Sequence, residues 1–326
     1  MPVTIRDLAQ ATGLSIGTIS RALKNQGGLT ETTRATVTQK ARDLGYDFSK
    51  LRQNRIRRIA FLLHRQHNTL SSSPFFSPVL HGAESACRRE GIALSFIALG
   101  PAESIADQLK LHQPDALLCA GFFEPEMLAA LRSSGKPLVL VDMRLPGYSS
   151  INSDHQLGGY LATRHLIECG RKRIALLCGP LSHHSILQRA RGFHQALFEA
   201  KMLVDPELQI CLQEYGSGEQ AVQLAVAHLL ALEKPADALF CYNDSTALTA
   251  MHYCQGSGLK VPHDMAIVGF DDISAASKAN PPLSTIRIDK EALGRAGIEM
   301  LIATPPEVQE QTQPVQLILR ESSHDD

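Results

Sequence analysis

Residues 9–24 read AQATGLSIGTISRALK. Two short amphipathic pieces meet at Gly13, and the second opens Ser15-Ile16-Gly17, an odd helix start unless that end must touch something. Upstream, Thr4 with Asp7 three residues on makes an N-cap for a first helix that carries Ile5, Leu8 and Ala9 on one face. Ser15 caps a second helix striped by Ile19, Ala22 and Leu23. Thr30, followed by Glu31, caps a third, with Val37, Ala41 and Leu44 inward and Gly45 as its stop. Three helices within about 45 residues, the first two joined at a short Gly turn, spell a helix-turn-helix. Ala9 is small where the second helix crosses, Gly13 can take the positive φ of the turn, and Ile19 plugs the junction.

In such a unit the start of the second helix enters the major groove of DNA. The hydroxyls of Ser15 and Thr18 can hold phosphates, and Ile16 can meet a thymine methyl. Gly17 lets the backbone come close, and Arg21 can pair with guanine O6 and N7. Ile16 has a competing reading, as a staple packed inward. Thr4, Ser20, Lys24, Asn25 and Thr30 complete the expected DNA-facing set in the head. Charge agrees: residues 1–58 carry 11 Lys/Arg against 4 Asp/Glu, whereas the whole chain has 32 against 33. A basic head on an acidic body suits a protein whose head alone meets a polyanion, although a solvated basic face would look similar.

At 326 residues the chain exceeds what one core usually supports. No run approaches the ~20 apolar residues of a membrane span, and the start MPVTIRDLAQ lacks a signal-peptide core. Seven Cys without a C-x-x-C pair read as buried thiols of a reducing compartment. A cytoplasmic protein with no membrane partner is expected.

From residue 59 onward apolar runs alternate with amphipathic stretches. Strand candidates are 58–63, 92–99, 115–121, 137–142, 173–179, 208–215, 236–244 and 265–272. Helical stretches fall at 79–90, 126–134, 157–169, 186–200, 218–232 and 245–256. This alternation implies parallel sheets covered on both faces. The rhythm restarts after INSD (151–154), so two doubly wound lobes are expected, with a ligand at the strand ends between them. LSTIRID (283–289) and VQLILR (315–320) complete or cross between the sheets.

The segment VTIRDLAQATGLSIGTISRALKNQGGLTETTRATVTQKARDLGY resembles the DNA-binding headpiece of the lactose-repressor (LacI/GalR) family. The body resembles that family's periplasmic-binding-protein-like domain through SPFF (73–76), residues 151–180, QRARGF (188–193), YND (242–244), VPHDMAIVGFDD (261–272) and LSTIRID. The resemblance implies a small all-α helix-turn-helix headpiece (1–46), a short basic hinge (47–58) and an α/β body (59–326) of two doubly wound parallel-sheet lobes. These would comprise about 59–151 plus 284–304, and about 152–283 plus 305–326. It puts Ile16, Gly17 and Arg21 at base-reading positions, with Lys24 standing where the family usually has Asn. The link DFSKLRQNRIRR is about four residues shorter than the family pattern. Arg55 then falls where a wedge Leu would enter the minor groove, with Leu51 and Ile56 as apolar neighbours.

The resemblance also marks an effector site. Asp271 and Asn243 follow strands where they can bond vicinal hydroxyls, Arg189 stands at a guanidinium clamp position, and Tyr215 stands where an aromatic stacks. Phe75 and Phe76 face them from the other lobe, with Ser73, Asp142 and Asp154 as further candidates. Carboxylate, amide and aromatic groups together suit a sugar, with its hydroxyl edges and apolar C–H faces. Bland readings stay open: Asn243 and Asp244 as helix caps, Asp154 and Asp272 as turn residues, and Tyr215 as core. Ser73 replaces the family's Asn, Met143 an Arg, and Ile288 a polar residue, so a larger or partly apolar ligand is compatible.

LSHHS (181–185) sets Ser beside His but lacks a nucleophile elbow, and His165 with Cys169 lacks further zinc ligands. Phosphate-loop and dinucleotide signatures are absent, so neither catalysis nor a cofactor is expected. The expectation is a ligand-responsive transcription factor, a repressor of a carbohydrate operon. It would bind a pseudo-palindromic double-stranded operator as a homodimer and respond to a sugar or sugar phosphate. The alternatives are a purine-responsive regulator, an activator on the same fold, or a sugar-transport protein. ESSHDD, without a heptad run, argues against a coiled-coil tetramer.

Overall fold

The computed structural model describes residues 3–23, 28–46, 56–65, 74–100, 103–303 and 307–324. Lys24, Asn25, Leu51, Arg55 and Ser73 lie outside the described residues, as does most of the expected hinge. The chain divides into two compact units, Met1–Ile56 and Arg57–Asp326, each described by itself.

The first unit holds α1 (Ile5–Thr12), α2 (Ile16–Leu23) and α3 (Glu31–Asp43). Thr4 and Asp7 form a reciprocal capping box at the start of α1. Gly13 ends α1 in the left-handed region at φ 70°, where a side chain would be strained. Ser15 accepts from Thr18 N at 3.1 Å, and Thr30 accepts from Thr33 N at 3.3 Å. Leu8, Ile19, Ala22, Val37 and Ala41 meet in a small core. Leu44, expected on the inner face, is the C-cap of α3 and is exposed. Beyond the positive φ of Gly45 the chain turns, and Tyr46 closes the core in its place.

The second unit contains two sheets. The first joins β1 (Arg58–His64), β2 (Ala93–Leu99), β3 (Ala116–Ala120), β4 (Leu138–Val141), β5 (Ser149–Ser153) and β11 (Glu310–Gln313), all parallel, in the order β11-β5-β4-β3-β1-β2. The second joins β6 (Ile174–Cys178), β7 (Gln209–Cys211), β8 (Ala238–Cys241) and β9 (Ala266–Val268), also parallel, in the order β7-β6-β8-β9. An antiparallel ribbon of β10 (Thr285–Ile288) and β12 (Val315–Ile318) continues from it through bridges Val268–Ser284 and Asp271–Arg287. The central strands β3 and β6 are buried along their whole length, which explains their unbroken apolar runs.

Helices α4 (Phe76–Arg89), α5 (Ile105–His112), α6 (Pro125–Ser133) and α11 (Lys290–Ala303) belong to the first lobe. Helices α7 (His155–Glu168), α8 (His184–Glu199), α9 (Gly218–Ala231) and α10 (Asp244–Gly256) belong to the second. Glycines set two close helix pairs. A Cβ on Gly159 of α7 would stand 2.1 Å from the Arg189 carbonyl of α8, and one on Gly294 of α11 would stand 1.9 Å from that of Val79 in α4.

Several expectations need correction. The run 208–215 is a strand only at Gln209–Cys211, and Leu212–Tyr215 is a 3-10 turn. Residues 284–288, assigned to the first lobe, pair on the second, and residues 310–313, assigned to the second, pair with β5 in the first. The chain therefore crosses between lobes near Asp154, Asp289 and Pro314.

Candidate functional site

On the first unit, α2 presents Ser15, Ile16, Gly17 and Arg21 to solvent, with Thr18 and Ser20 half-exposed. Ile16 is 52% exposed, so it is no inward staple. A Cβ on Gly17 would meet nothing nearer than Ser15 Oγ at 3.8 Å, leaving that face open to an approaching surface. The Ser15 and Thr18 hydroxyls bond each other at 2.8 Å. Thr4 and Thr30 are exposed caps of neighbouring helices.

On the second unit a cavity of about 970 Å³ opens at the strand C-termini between the lobes. Strand order reverses between β6 and β8, and the residues just beyond them, Gly179 and Tyr242, line the cavity. Phe75 and Phe76, edge-on at 5.0 Å, come from the first lobe together with Asp142. Arg189, Asn243 and Asp271 come from the second. Hydroxyls of Ser185, Ser217, Ser245, Thr246 and Thr249, the side chains of Gln213 and Glu219 and the ring of His252 add to the polar lining. Phe122 of the first lobe stacks on His183 of the second at 4.4 Å with rings 6° from parallel.

The deep end of the cavity is a row of buried polar groups. Arg189 is 5% exposed. Its NH2 lies 3.4 Å from Asp271 Oδ1, its NH1 donates to the Tyr242 carbonyl, and its Nε donates to His155 Nδ1 at 3.4 Å. The guanidinium also lies 3.8 Å from the centre of the Phe270 ring. His155 Nε2 is 2.9 Å from Asp142 Oδ1. Asp142 and Asp271 adopt positive φ, 59° and 110°, a strain that concentrates where a site over-determines the backbone.

Burial pushes the Asp271 carboxyl up to about 6, against the pull of Arg189 and Lys290. Burial acts on Asp142 too, but the approach of His155 Nε2 to 2.9 Å, with Arg189 nearby, outweighs it and holds this carboxyl below the usual range. Burial lowers His155 and His184. Asp244 rises to about 7, from burial and then from Asp271, while accepting from Thr285 Oγ1 and Ile273 N. One acidic end, hydroxyl and amide walls and two phenyl faces suit an uncharged, donor-bearing ligand.

Six expected residues thus share the cavity: Phe75, Phe76, Asp142, Arg189, Asn243 and Asp271. Asn243 both lines it and caps α10, accepting from Thr246 N at 2.8 Å. Two candidates stand apart from the lining. Asp154 caps α7 through Leu157 N, and Tyr215, at the end of the 3-10 turn, packs beside His228 on the second-lobe core. Asp272 is held by Arg287 and Arg320. Sequence reasoning missed His155, His183, Tyr242 and Lys290. Of these, only Tyr242 carried a signal, its place at a strand end in YND.

Among the described residues no helix is long and apolar enough to cross a membrane, and no cluster of three metal-ligating side chains occurs. Residues 4–48 match the family of bacterial regulatory proteins, lacI family, and residues 163–323 match the periplasmic binding protein-like domain. The chain is 33% identical over 311 residues to the HTH-type transcriptional repressor PurR of Haemophilus influenzae, covering 92% of this chain and 90% of that one. The Aliivibrio fischeri protein of the same name is 32% identical over 314 residues, with the same coverage. Among solved structures, a transcriptional regulator CelR–cellobiose complex superposes with TM-score 0.74 at 26% identity, over 98% of this chain and all of that one. The lac repressor dimer bound to operator and the anti-inducer ONPF shares the fold, with TM-score 0.72 at 24% identity and 99% of both chains covered.

Proposed function

Because the chain belongs to the LacI family of bacterial regulatory proteins and is a DNA-binding transcriptional repressor, we propose that its two-lobed body senses a neutral, hydroxyl-rich small molecule and thereby sets operator affinity. The head reads DNA through Ile16, Gly17 and Arg21. A homodimer reads a pseudo-palindrome, since one short helix contacts too few bases to specify a site. The regulated genes serve uptake or breakdown of a carbohydrate. The observation that carries the effector reading is the deep end of the cavity. Two carboxylates there can accept from vicinal hydroxyls, while Asn243 and the Ser and Thr side chains bond the remainder and Phe75 and Phe76 cover a C–H face. Arg189 is already engaged by three internal partners, so the phosphorylated form of the ligand lacks its natural counter-charge.

A purine is the second reading. It is favoured by the PurR names of relatives at 33% and 32% identity, and the phenyl pair would take a flat base. The two are separated by thermal unfolding of the full chain with ribose, cellobiose, hypoxanthine or guanine added singly. A ligand at 100 times its Kd stabilises by about 2.7 kcal/mol. A shift with the sugars alone supports the first reading, and a shift with the bases alone supports the second. The operator itself comes from selecting bound duplexes from a random pool at about 0.15 M salt. Without an enriched pseudo-palindrome the dimeric reader is wrong. Effector and operator should then couple by about 1–3 kcal/mol.

A further inference from the structure

His155 is the first residue of α7, reached just after the chain leaves β5 and crosses from the first lobe to the second. The residue is 1% exposed, and its side chain is fully buried. On one side Nε2 lies 2.9 Å from Oδ1 of Asp142, at the end of β4 in the first lobe. On the other, Nδ1 accepts from Nε of Arg189, on α8 in the second lobe. A guanidinium N–H only donates, so Nδ1 must carry the lone pair. A carboxylate only accepts, so Nε2 must carry the proton. One neutral tautomer therefore meets both partners. The imidazolium would turn an N–H against Arg189, and the other tautomer would be mismatched at both ends.

The row does not stop at Arg189. Asp271 follows at 3.4 Å, and the ammonium of Lys290, first residue of α11 in the first lobe, donates to the Asp271 carbonyl. The row thus begins and ends in the first lobe and passes through the second beside the crossovers. There Asp154 N donates to Gln313 O at 2.9 Å, tying two of the crossing strands together. Asp142, Arg189 and Asp271 also line the cavity.

We infer that His155, held as the Nε2–H tautomer, is the positioning residue that couples the deep end of the cavity to the first lobe. This rests on reading the cavity as the effector site. A ligand that bonds Asp271 shifts Arg189, and the ring passes that shift across the hinge to Asp142. The charged and titratable groups facing the ring are Asp142 beyond β4, Asp154 at its own helix cap, and Arg189 and His184 on α8, with Asp271 and Lys290 behind Arg189. Burial and Arg189 oppose protonation of the ring, Asp142 and Asp154 favour it, and the balance leaves it below the ordinary histidine value.

The first test is ring nitrogen–proton spectra of 15N-histidine-labelled full-length protein between about pH 5.5 and 8. His155→Gln, which retains one donor and one acceptor, identifies the signal. The expected result is a single neutral Nε2–H ring that does not titrate over a range in which ordinary histidines, near 6.5, do. A ring that titrates, or one protonated at Nδ1, overturns the inference. The second test is ligand-free hydrogen exchange at the Asp142 amide, which donates to Ile151 O at 3.0 Å within the first lobe. Asp271→Asn, in the second lobe, should speed that exchange by about fivefold or more, the low end of typical coupling between sites. The effect should vanish in the His155→Leu background and persist in His155→Gln. An effect that is absent, or equal in all backgrounds, overturns the coupling. Neither readout uses an effector or an operator, so failure of the sensor reading would show in the ligand panel and leave these results standing.

Discussion

Replacing Arg189 by Met should destabilise the body by an amount that depends on pH in a way the geometry fixes. The substitution removes the charge facing Asp271 and the donors to the Tyr242 carbonyl and to the buried His155 Nδ1. Leaving those two acceptors without partners costs about 2–6 kcal/mol together. The stranded carboxylate is bounded differently, because it can escape by taking a proton. From about 6, protonation at pH 7 costs about 1.4 kcal/mol. The total is about 3–7 kcal/mol at pH 7, falling to no more than the contribution of the two acceptors below pH 6. The sign follows from linkage. A carboxyl raised in the folded state favours folding at low pH and loses that contribution as pH rises through its folded value; removing Arg189 raises it further, so the added loss lies above pH 6. Loss of Arg189 also eases protonation of His155, again favouring the mutant in acid. Urea unfolding followed by far-UV circular dichroism at pH 5.5 and 7.5 measures both. A deficit as large at pH 5.5 as at 7.5, or one below about 1 kcal/mol at 7.5, would refute a buried, charge-bearing contact between Arg189 and Asp271.

Gly159→Ala should push α7 from α8, since the new methyl would stand 2.1 Å from the Arg189 carbonyl. Overpacking of this kind costs about 1–3 kcal/mol or more, read from the same urea curves. Gly17→Gln should change the preferred bases of the selected operator while leaving the salt dependence of binding similar, because the position is open and uncharged; affinity falling equally for all sequences would argue against α2 in the groove. Native thiol labelling followed by peptide mapping should find Cys169 and Cys211 first, the two half-buried cysteines. Cys87, Cys178 and Cys254 should resist, buried and pushed up to about 12 by that burial.

The architecture was legible where local signals and burial agree. The helix-turn-helix could be read from Gly13, its caps and Ile19, because each acts within one or two turns of chain. Strands such as β3 and β6 announce themselves as apolar runs because both of their faces are covered. Helix α11 escaped notice: Gly294 and Gly297 dilute the helical signal, yet Gly294 is what lets α11 lie against α4. Strand β11, EQTQ, is a mostly exposed edge with no apolar alternation to find. In the site, residue types were readable and pairings were not. Arg189 stands out in QRARGF, but its engagement by Tyr242, Asp271 and His155 depends on elements 34–82 positions away. His155, inside a helix-capping SDHQ, gives no hint that it faces Asp142.

The route of the chain between the lobes bears on how the body is made. Each lobe contains a strand supplied after residue 309: β11 completes the edge of the first sheet, and β12 pairs with β10 beside the second. Synthesis proceeds from the other end, so the first lobe lacks its full set of strands until residue 313 has left the ribosome, and the second until residue 318 has. Until then the exposed edge of β5 and the unpaired β10 are open to wrong partners. The head, closed by contacts within its first 46 residues, has no such delay. A nascent chain can therefore carry a finished head long before it has a body able to govern it.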